Sequence, residues 1–206
     1  MEFCKLVDDV RVTYPLSAYI YDLAVAADGT MYLCDAGTHI ILKRTTNGIV
    51  TLFSGGTRGY KDGKGTDAQF DTPTNIAIDS LGNLYVGDSH NFRIRKITPD
   101  GTVTTIAGSS TSGFNDGAGA AAQFRALYDV IVADNNTLLV ADDYRIRRVD
   151  LTTNQVTTIA GSTTYGYVNG PALSAKFYNI AQITISNGNI YTIEDGIRRI
   201  RQIAPL

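Results

Sequence analysis

The strongest constraint on how this chain can fold is a unit of about 53 residues that recurs along its 206 residues. The segment GTVTTIAG at residues 101–108 returns as NQVTTIAG at residues 154–161, and a weaker copy, GIVTLFSG, occupies residues 48–55. A fixed period of roughly 20–50 residues indicates a repeat architecture, in which each unit is one supersecondary element. The chain is therefore predicted to build one structural unit several times.

Two other blocks of sequence keep the same period. The first is rich in glycine, and its three copies end at Phe70, Phe124 and Phe177, which are expected to plug the space between neighbouring units. The second reads IRKI at residues 94–97, and its counterparts are ILKR at 41–44, IRRV at 146–149 and IRRI at 197–200. Four acids close the segments MYLCD, LYVGD, LLVAD and IYTIE in a shared register: Asp35, Asp88, Asp142 and Glu194. The chain thus contains four copies of the unit.

Each unit has the pattern of four short antiparallel strands. In the second unit, residues 75–79 alternate in polarity, and residues 84–87, 92–97 and 102–107 follow after glycine-containing turns. Helical periodicity is absent from these segments. The sequence predicts an all-β protein, a β-propeller of four four-stranded antiparallel blades in a single domain spanning residues 1–206. The predicted blades cover approximately residues 20–55, 73–108, 127–161 and 180–206.

One segment carries a resemblance to a known family. Residues 73–108, PTNIAIDSLGNLYVGDSHNFRIRKITPDGTVTTIAG, resemble an NHL repeat, whose pattern is roughly PxGIAVD, GNLYVAD, NHRIRKI and GxVTTLAG. The resemblance extends over about residues 20–206 and is strongest in the second unit. It implies a propeller fold. NHL propellers often have six blades, whereas this sequence provides four.

The last unit ends after its third predicted strand, so its blade lacks an outermost strand. A segment within residues 2–14 can form a strand, and we expect it to complete the last blade and close the ring, because closure removes an exposed sheet edge. Two alternatives remain open at this point. The chain could be an open half-ring that dimerises into eight blades, or a fragment of a larger ring.

The composition excludes some classes of function. With 18 Lys and Arg against 20 Asp and Glu, the net charge of −2 disfavours a protein that binds nucleic acid or anionic lipid over its whole surface. No run of about 18 apolar residues predicts a membrane span. The acidic N-terminal segment lacks the apolar stretch of a signal peptide, which favours the cytoplasm or an assembled particle such as a virion.

The innermost strands contain the sharpest candidate site. Aligning Leu23 with its counterparts in the other units places a polar residue just before each: Asp22, Asn75, Asp129 and Gln182. These side chains are expected to ring one mouth of the central channel. They could hold a polar ligand group or a hydrated cation such as calcium, in which case Asp22 and Asp129 would be the metal ligands. The alternative is a solvated mouth whose acids accept hydrogen bonds from loop amides.

The third strands concentrate positive charge, since they contain 11 of the 18 basic residues. Arg95, Arg147 and Arg198 are the candidates for a basic belt on the outside of the blades that could follow phosphate groups. The sequence favours the alternative, in which alternate arginines pair with the acids of the second strands. On that interpretation nucleic acid is not a partner.

Signals for catalysis are weak. The chain has two histidines, which excludes a site that needs three, and it has no GxSxG segment. We therefore predict a non-enzymatic binding propeller that needs no cofactor and docks a protein or glycan on a loop face. The alternatives are a structural or attachment module of a virion or extracellular assembly, and a lyase-like or lactonase-like enzyme with a channel metal. The sequence leaves open whether the chain is a monomer or a homo-oligomer.

Overall fold

The computed structural model describes residues 19–204, and β-strands make up most of the regular structure in this range. Four small antiparallel sheets are arranged in a ring, so the predicted four-bladed β-propeller is confirmed. The first blade consists of β1 (Ile20–Val25), β2 (Met31–Asp35), β3 (Ile40–Arg44) and β4 (Val50–Gly55). Among the described residues, no helix is long or apolar enough to cross a membrane.

The second and third blades each gain a short fifth strand. The second consists of β5 (Gly63–Lys64), β6 (Pro73–Ile78), β7 (Leu84–Asp88), β8 (Arg93–Ile97) and β9 (Thr102–Gly108). The third consists of β10 (Gly117–Ala118), β11 (Leu127–Asp134), β12 (Thr137–Asp142), β13 (Arg145–Asp150) and β14 (Gln155–Ala160). The extra strands β5 and β10 come from the glycine-rich linkers and pair with the outer strands β9 and β14. The prediction of four strands per blade omitted them.

The fourth blade has three described strands: β15 (Ile180–Ser186), β16 (Asn189–Glu194) and β17 (Arg199–Ile203). The strand predicted within residues 2–14 to complete this blade lies outside the described residues. Within residues 19–204, three short 3₁₀ helices complete the regular structure, at Gly65–Asp67, Ser89–Asn91 and Gly119–Ala121.

The register of the last blade differs from the one predicted. The sequence alignment placed IRRI, residues 197–200, over the IRKI and IRRV blocks. In the structure Ile193 pairs with Ile200, as Gly87 pairs with Ile94, so the third strand lies three residues later. Arg201, rather than Arg198, therefore stands in the register of Arg95.

Three of the four hydrophobic clusters among the described residues lie at junctions between blades, and the fourth, with Ile40, Leu42 and Val50, lies within the first blade. Ile41, Ile94 and Ile146 are fully buried on the trailing faces of the first three blades, meaning the faces toward the next blade in the chain. Each packs in a cluster with the innermost strand of the next blade, through Ile76, Val130 and Ile183 respectively. Each junction also buries its linker phenylalanine, Phe70, Phe124 or Phe177, as the sequence predicts. Contacts between blades are therefore the main source of apolar burial.

Candidate functional site

Two of the three candidate belt residues are buried. The guanidinium of Arg95 is fully buried; Nη1 donates to Asp88 Oδ2 at 2.6 Å, and Nη2 donates to Asp62 Oδ1 at 2.7 Å. It also donates to the carbonyl oxygens of Lys61 and Gln69 in the linker. Arg95 thus ties the linker to the second blade and is not available to phosphate groups.

Arg147 repeats this arrangement in the third blade. It donates to Asp142 Oδ2 at 2.7 Å and to Asp116 Oδ1 at 2.8 Å, and it is fully buried. Arg198 is exposed in the turn before β17, outside the strand to which the sequence assigned it. Arg201 takes the structural position instead, 3.3 Å from Glu194. In the second, third and fourth blades, an arginine of the third strand thus pairs with the acid at the end of the second strand.

The predicted channel-mouth residues bind the backbone of the next blade. Asp22 Oδ2 accepts a hydrogen bond from the Ile76 N–H at 2.9 Å, and Asp129 Oδ2 accepts one from the Ile183 N–H at 2.8 Å. Asn75 is a donor rather than an acceptor, since its Nδ2 donates to the carbonyl oxygen of Tyr128 at 2.5 Å. These three side chains therefore connect neighbouring blades by hydrogen bonds.

The fourth member of this set, Gln182, is exposed, and within residues 19–204 its side chain has no hydrogen-bond partner. Burial raises the pKa of Asp129 to about 6, and the charge of Asp22 adds to this rise. Burial also raises the pKa of Asp22. The described part of the chain contains no group of three or more His, Cys, Asp or Glu side chains that could hold a metal ion.

A cleft of about 400 Å³ opens on the upper face, which is the side of the ring where the first strand of each blade begins. Exposed tyrosines from two blades, Tyr21 and Tyr128, stand at this cleft. Polar groups between them include Asn75, Ser89 and Arg125. The cleft combines aromatic rings with amide, hydroxyl and guanidinium groups, which is typical of ligand sites.

An aromatic row continues from this cleft over the third and fourth blades. The rings of Phe114, Tyr144, Tyr165 and Tyr178 follow one another with centroids 4.9, 6.2 and 6.0 Å apart. Arg125 connects the two features, because it lines the cleft and its guanidinium lies 5.6 Å from the ring centroids of both Phe114 and Tyr144. Aromatic contacts at such distances are attractive, so the rings hold one another in place.

Sequence reasoning missed one polar cluster on the same face. His39 and His90 come from neighbouring blades, and their Nδ1 atoms lie 3.9 and 3.4 Å from Asp71 Oδ1. His39 Nδ1 accepts a hydrogen bond from the Thr72 N–H at 3.1 Å, so that nitrogen carries no proton in this arrangement. The sequence signal was the similar turn position of the two histidines. What brings them to Asp71 is the placement of two blades, which a single repeat does not encode.

One segment of the second blade matches a known repeat family. Residues 70–97, from the buried phenylalanine of the linker to the end of β8, match the family model of the NHL repeat. The propeller contains an NHL repeat at residues 70–97. The resemblance predicted from residues 73–108 is thereby confirmed.

Curated relatives share part of this chain. NHL repeat-containing protein 2 of Gallus gallus is 32% identical over 118 residues, which is 55% of this chain and 16% of that protein. The chain therefore spans less than a fifth of that curated relative.

Two solved structures from Bacteroides species match its fold. A protein of unknown function from Bacteroides thetaiotaomicron has a TM-score of 0.75 at 23% identity, over 90% of this chain and 47% of that chain. An auxiliary nutrient binding protein from Bacteroides ovatus has a TM-score of 0.70 at 21% identity, over 90% of this chain and 48% of that chain. This chain thus spans about half of each of these two structures.

Proposed function

We propose that this NHL propeller is a non-enzymatic binding module that takes a glycan on its upper face. The observation that carries the proposal is the cleft of about 400 Å³ between the exposed rings of Tyr21 and Tyr128. Its volume falls in the range of roughly 300–1,000 Å³ that is usual for small-molecule sites. The aromatic row extends the same surface, so a ligand longer than one sugar ring would find further rings to contact.

The chemistry of the cleft fits the two sides of a sugar ring. A tyrosine ring offers a flat, rigid apolar surface with a polar tip, and it loses little conformational entropy when it is covered. Such rings match the C–H face of a pyranose. The side chains of Ser89 and Arg125 can then bond the hydroxyl groups at the rim of the sugar.

The neighbours of this fold support a binding role. The Bacteroides ovatus protein that shares the architecture is an auxiliary nutrient binding protein. In this chain, Asn75 is already engaged with the next blade through Tyr128, which fixes the wall of the cleft before a ligand arrives. A preformed wall favours affinity because less order has to be created on binding.

The test is an array of neutral and anionic oligosaccharides probed with the full chain, followed by calorimetric titration of the best ligand. We expect Tyr128→Ala and Tyr21→Ala each to weaken binding by about 10-fold or more, the usual effect of truncating a stacked aromatic anchor. Tyr60→Ala is the matched control. Tyr60 is 46% exposed on the outer edge of the second blade, against 40% for Tyr128.

Circular dichroism must show that all three variants keep the native strand content. Absence of binding to every oligosaccharide at millimolar concentration would overturn the proposal. So would a glycan whose affinity drops equally in the Tyr60 and Tyr128 variants.

A further inference from the structure

The third strands of the last three blades carry a second set of arginines, two residues before the buried ones. Third strands run parallel to the first strands of their blades, so they too begin at the upper face. The first residues of β8, β13 and β17 are Arg93, Arg145 and Arg199, which we call the rim arginines. Residues two apart in a strand share a face, so each rim arginine lies on the face of the buried arginine of its blade, nearer the upper end.

Each rim arginine covers an aromatic ring of the linker that precedes its blade. The guanidinium carbon lies 3.8, 4.2 and 4.7 Å from the ring centroid in the pairs Arg93–Tyr60, Arg145–Phe114 and Arg199–Tyr167. A cation over an aromatic ring is attracted to the ring, and the planar guanidinium keeps its N–H donors at its edge. The ring therefore holds these donors in a defined orientation.

The rim arginines do not have the carboxylate partners of the buried arginines. Within residues 19–204 no Asp or Glu forms an ion pair with any of the three. Arg145 donates from Nε to the carbonyl oxygen of Ser162 at 3.0 Å, and in this range its two Nη groups have no protein partner and are not buried. A cation with two such donors in one plane is suited to a carboxylate, which accepts two parallel hydrogen bonds.

Arg145 is the rim arginine that lies between the cleft and the aromatic row. The ring that it covers, Phe114, begins the row, and Arg125 at the wall of the cleft lies 5.6 Å from the centroid of the same ring. Arg125 Nε is 3.0 Å from Asp143 Oδ2, so the charge of Arg125 is already balanced. Arg145 therefore places an uncompensated positive charge where a ligand longer than one sugar ring would leave the cleft.

We propose that the glycan of the upper face is acidic, and that Arg145, held on Phe114, binds the carboxylate of a uronic acid in its chain. The inference rests on the glycan function proposed for the cleft and names the class of sugar. The guanidinium binds the carboxylate through two N–H groups, a geometry that a neutral hydroxyl group does not match. The rings of the cleft contact the apolar faces of the sugars, so apolar contact and charge recognition fall on neighbouring sugar residues.

A single-stranded nucleic acid is the other polyanion that arginines and aromatic rings bind, and the charges of this face disfavour it. Each of its nucleotides carries a phosphate, so a bound strand would meet carboxylates as well as Arg145. Asp143 lies beside Arg125, and Asp71 Oδ1 is 3.4 Å from Nδ1 of His90, which lines the cleft. The net charge of −2 adds no general attraction for a phosphate backbone. A glycan in which uronic acids alternate with neutral sugars avoids this repulsion.

The test is calorimetric titration of the full chain with a panel of oligosaccharides that alternate uronic acids and neutral sugars, each compared with its carboxyl methyl ester. The ester keeps the sugar rings and removes the charge. We expect the best acid to bind about 10-fold more tightly than its ester. Arg145→Gln should lower the affinity for the acid to that for the ester and leave the ester unchanged. Arg93→Gln is the matched control and should keep the preference, because Arg93 has the same strand position but covers Tyr60, on the linker before the second blade.

The outcomes separate this inference from the proposed function. If an ester binds as tightly as its acid and Tyr128→Ala still weakens both, the acidic ligand is overturned and the glycan cleft stands. If no oligosaccharide binds in either form, both are overturned. An equal loss for acid and ester in Arg145→Gln overturns the role of Arg145, because a lost ion pair affects only the acid. Tighter binding of a single-stranded RNA oligomer than of any acid in the panel overturns the inference as well.

Discussion

At the scale of single residues, the buried arginines hold each linker to its blade. Arg147 donates to two carboxylates and to the carbonyl oxygens of Gln123 and Asn115, so one side chain connects β12, β13 and the linker. A guanidinium suits this position because its donors lie in a fixed plane and point in several directions at once. Its Nε atom remains buried without a partner, which is a cost that the other bonds offset.

Arg147 and its neighbour Arg148 give a matched pair of mutations. Arg147→Ala leaves the buried carboxylate of Asp142 without its cation, so we expect a loss of about 3–5 kcal/mol in the free energy of unfolding. Arg148 lies on the same strand and is exposed, so Arg148→Ala should change this energy by less than about 0.5 kcal/mol. Urea denaturation measures both.

Equal losses in the two variants would show that the ion pairs of Arg147 are unimportant for stability. If Arg147→Ala does not fold, Arg147→Lys is the alternative, because it keeps the positive charge and removes the planar guanidinium with its several donors. It should then show an intermediate loss.

At the scale of elements, the turn between β16 and β17 decides the register of the last blade. Residues Asp195–Arg198 separate the two strands, and Gly196 and Arg198 have φ values of 80° and 51°. This turn has the same four-residue length as the turn of the second blade, where Phe92 has a φ value of 53°, so the third strand begins at Arg199. The repeated IRRI letters at 197–200 misled the sequence alignment because they reproduce the motif three residues early. Seven residues separate Asp88 from Arg95 and Glu194 from Arg201, whereas the shorter turn of the third blade leaves five between Asp142 and Arg147, so no single spacing predicts the pair.

This register predicts different effects for two arginines. Arg201 Nη1 donates to the Lys176 carbonyl oxygen at 2.6 Å and Nη2 to that of Val168 at 2.9 Å. Arg201→Ala should lower the free energy of unfolding by about 1–3 kcal/mol, since the buried carboxylate of Glu194 and two linker carbonyl oxygens lose their donor. Arg198→Ala should stay within about 0.5 kcal/mol of the wild type.

Thermal and urea unfolding of both variants measure this difference. A larger loss for Arg198→Ala than for Arg201→Ala would favour the register derived from the sequence over that of the structure.

At the scale of the whole molecule, the blades could be predicted from the sequence because each repeat contains its own strands and turns. Strand alternation, the buried phenylalanines and the acid–arginine register are all local to one repeat. The cluster of His39, Asp71 and His90 and the joining of the cleft to the aromatic row could not be predicted. Both depend on how far one blade is rotated from the next, and that rotation is set by packing at the junctions rather than by any one repeat.

The raised pKa of Asp129 predicts that the free energy of unfolding of the protein depends on pH. The pKa of Asp129 is raised to about 6, so the native state binds this proton more tightly than the unfolded chain does. Its contribution to the free energy of unfolding is therefore present at low pH and is lost as the pH rises from about 4 to 6. Asp129→Asn keeps an oxygen for the Ile183 N–H and removes the charge. It should stabilise the protein at pH 7 by about 1–3 kcal/mol, and the gain should shrink toward zero near pH 4.

Urea denaturation of the wild type and of Asp129→Asn at pH 4 and pH 7 measures this difference. The two proteins share all other carboxylates, so the effects of those groups cancel when the variant is compared with the wild type at each pH. Asp134→Asn is the control, because Asp134 lies at the exposed end of the same strand. A gain for Asp129→Asn that is the same at pH 4 and pH 7 would contradict the assignment.

The alternation of acid and amide along the innermost strands has a consequence for how such rings can grow. Asp22 and Asn75 form one pair, and Asp129 and Gln182 form the next, so the chain has the form of a duplicated two-blade unit. Adding or deleting a single blade would place two carboxylates or two amides in neighbouring junctions and leave one donor or acceptor without its match. We therefore expect insertions or deletions that keep this alternation to come two blades at a time.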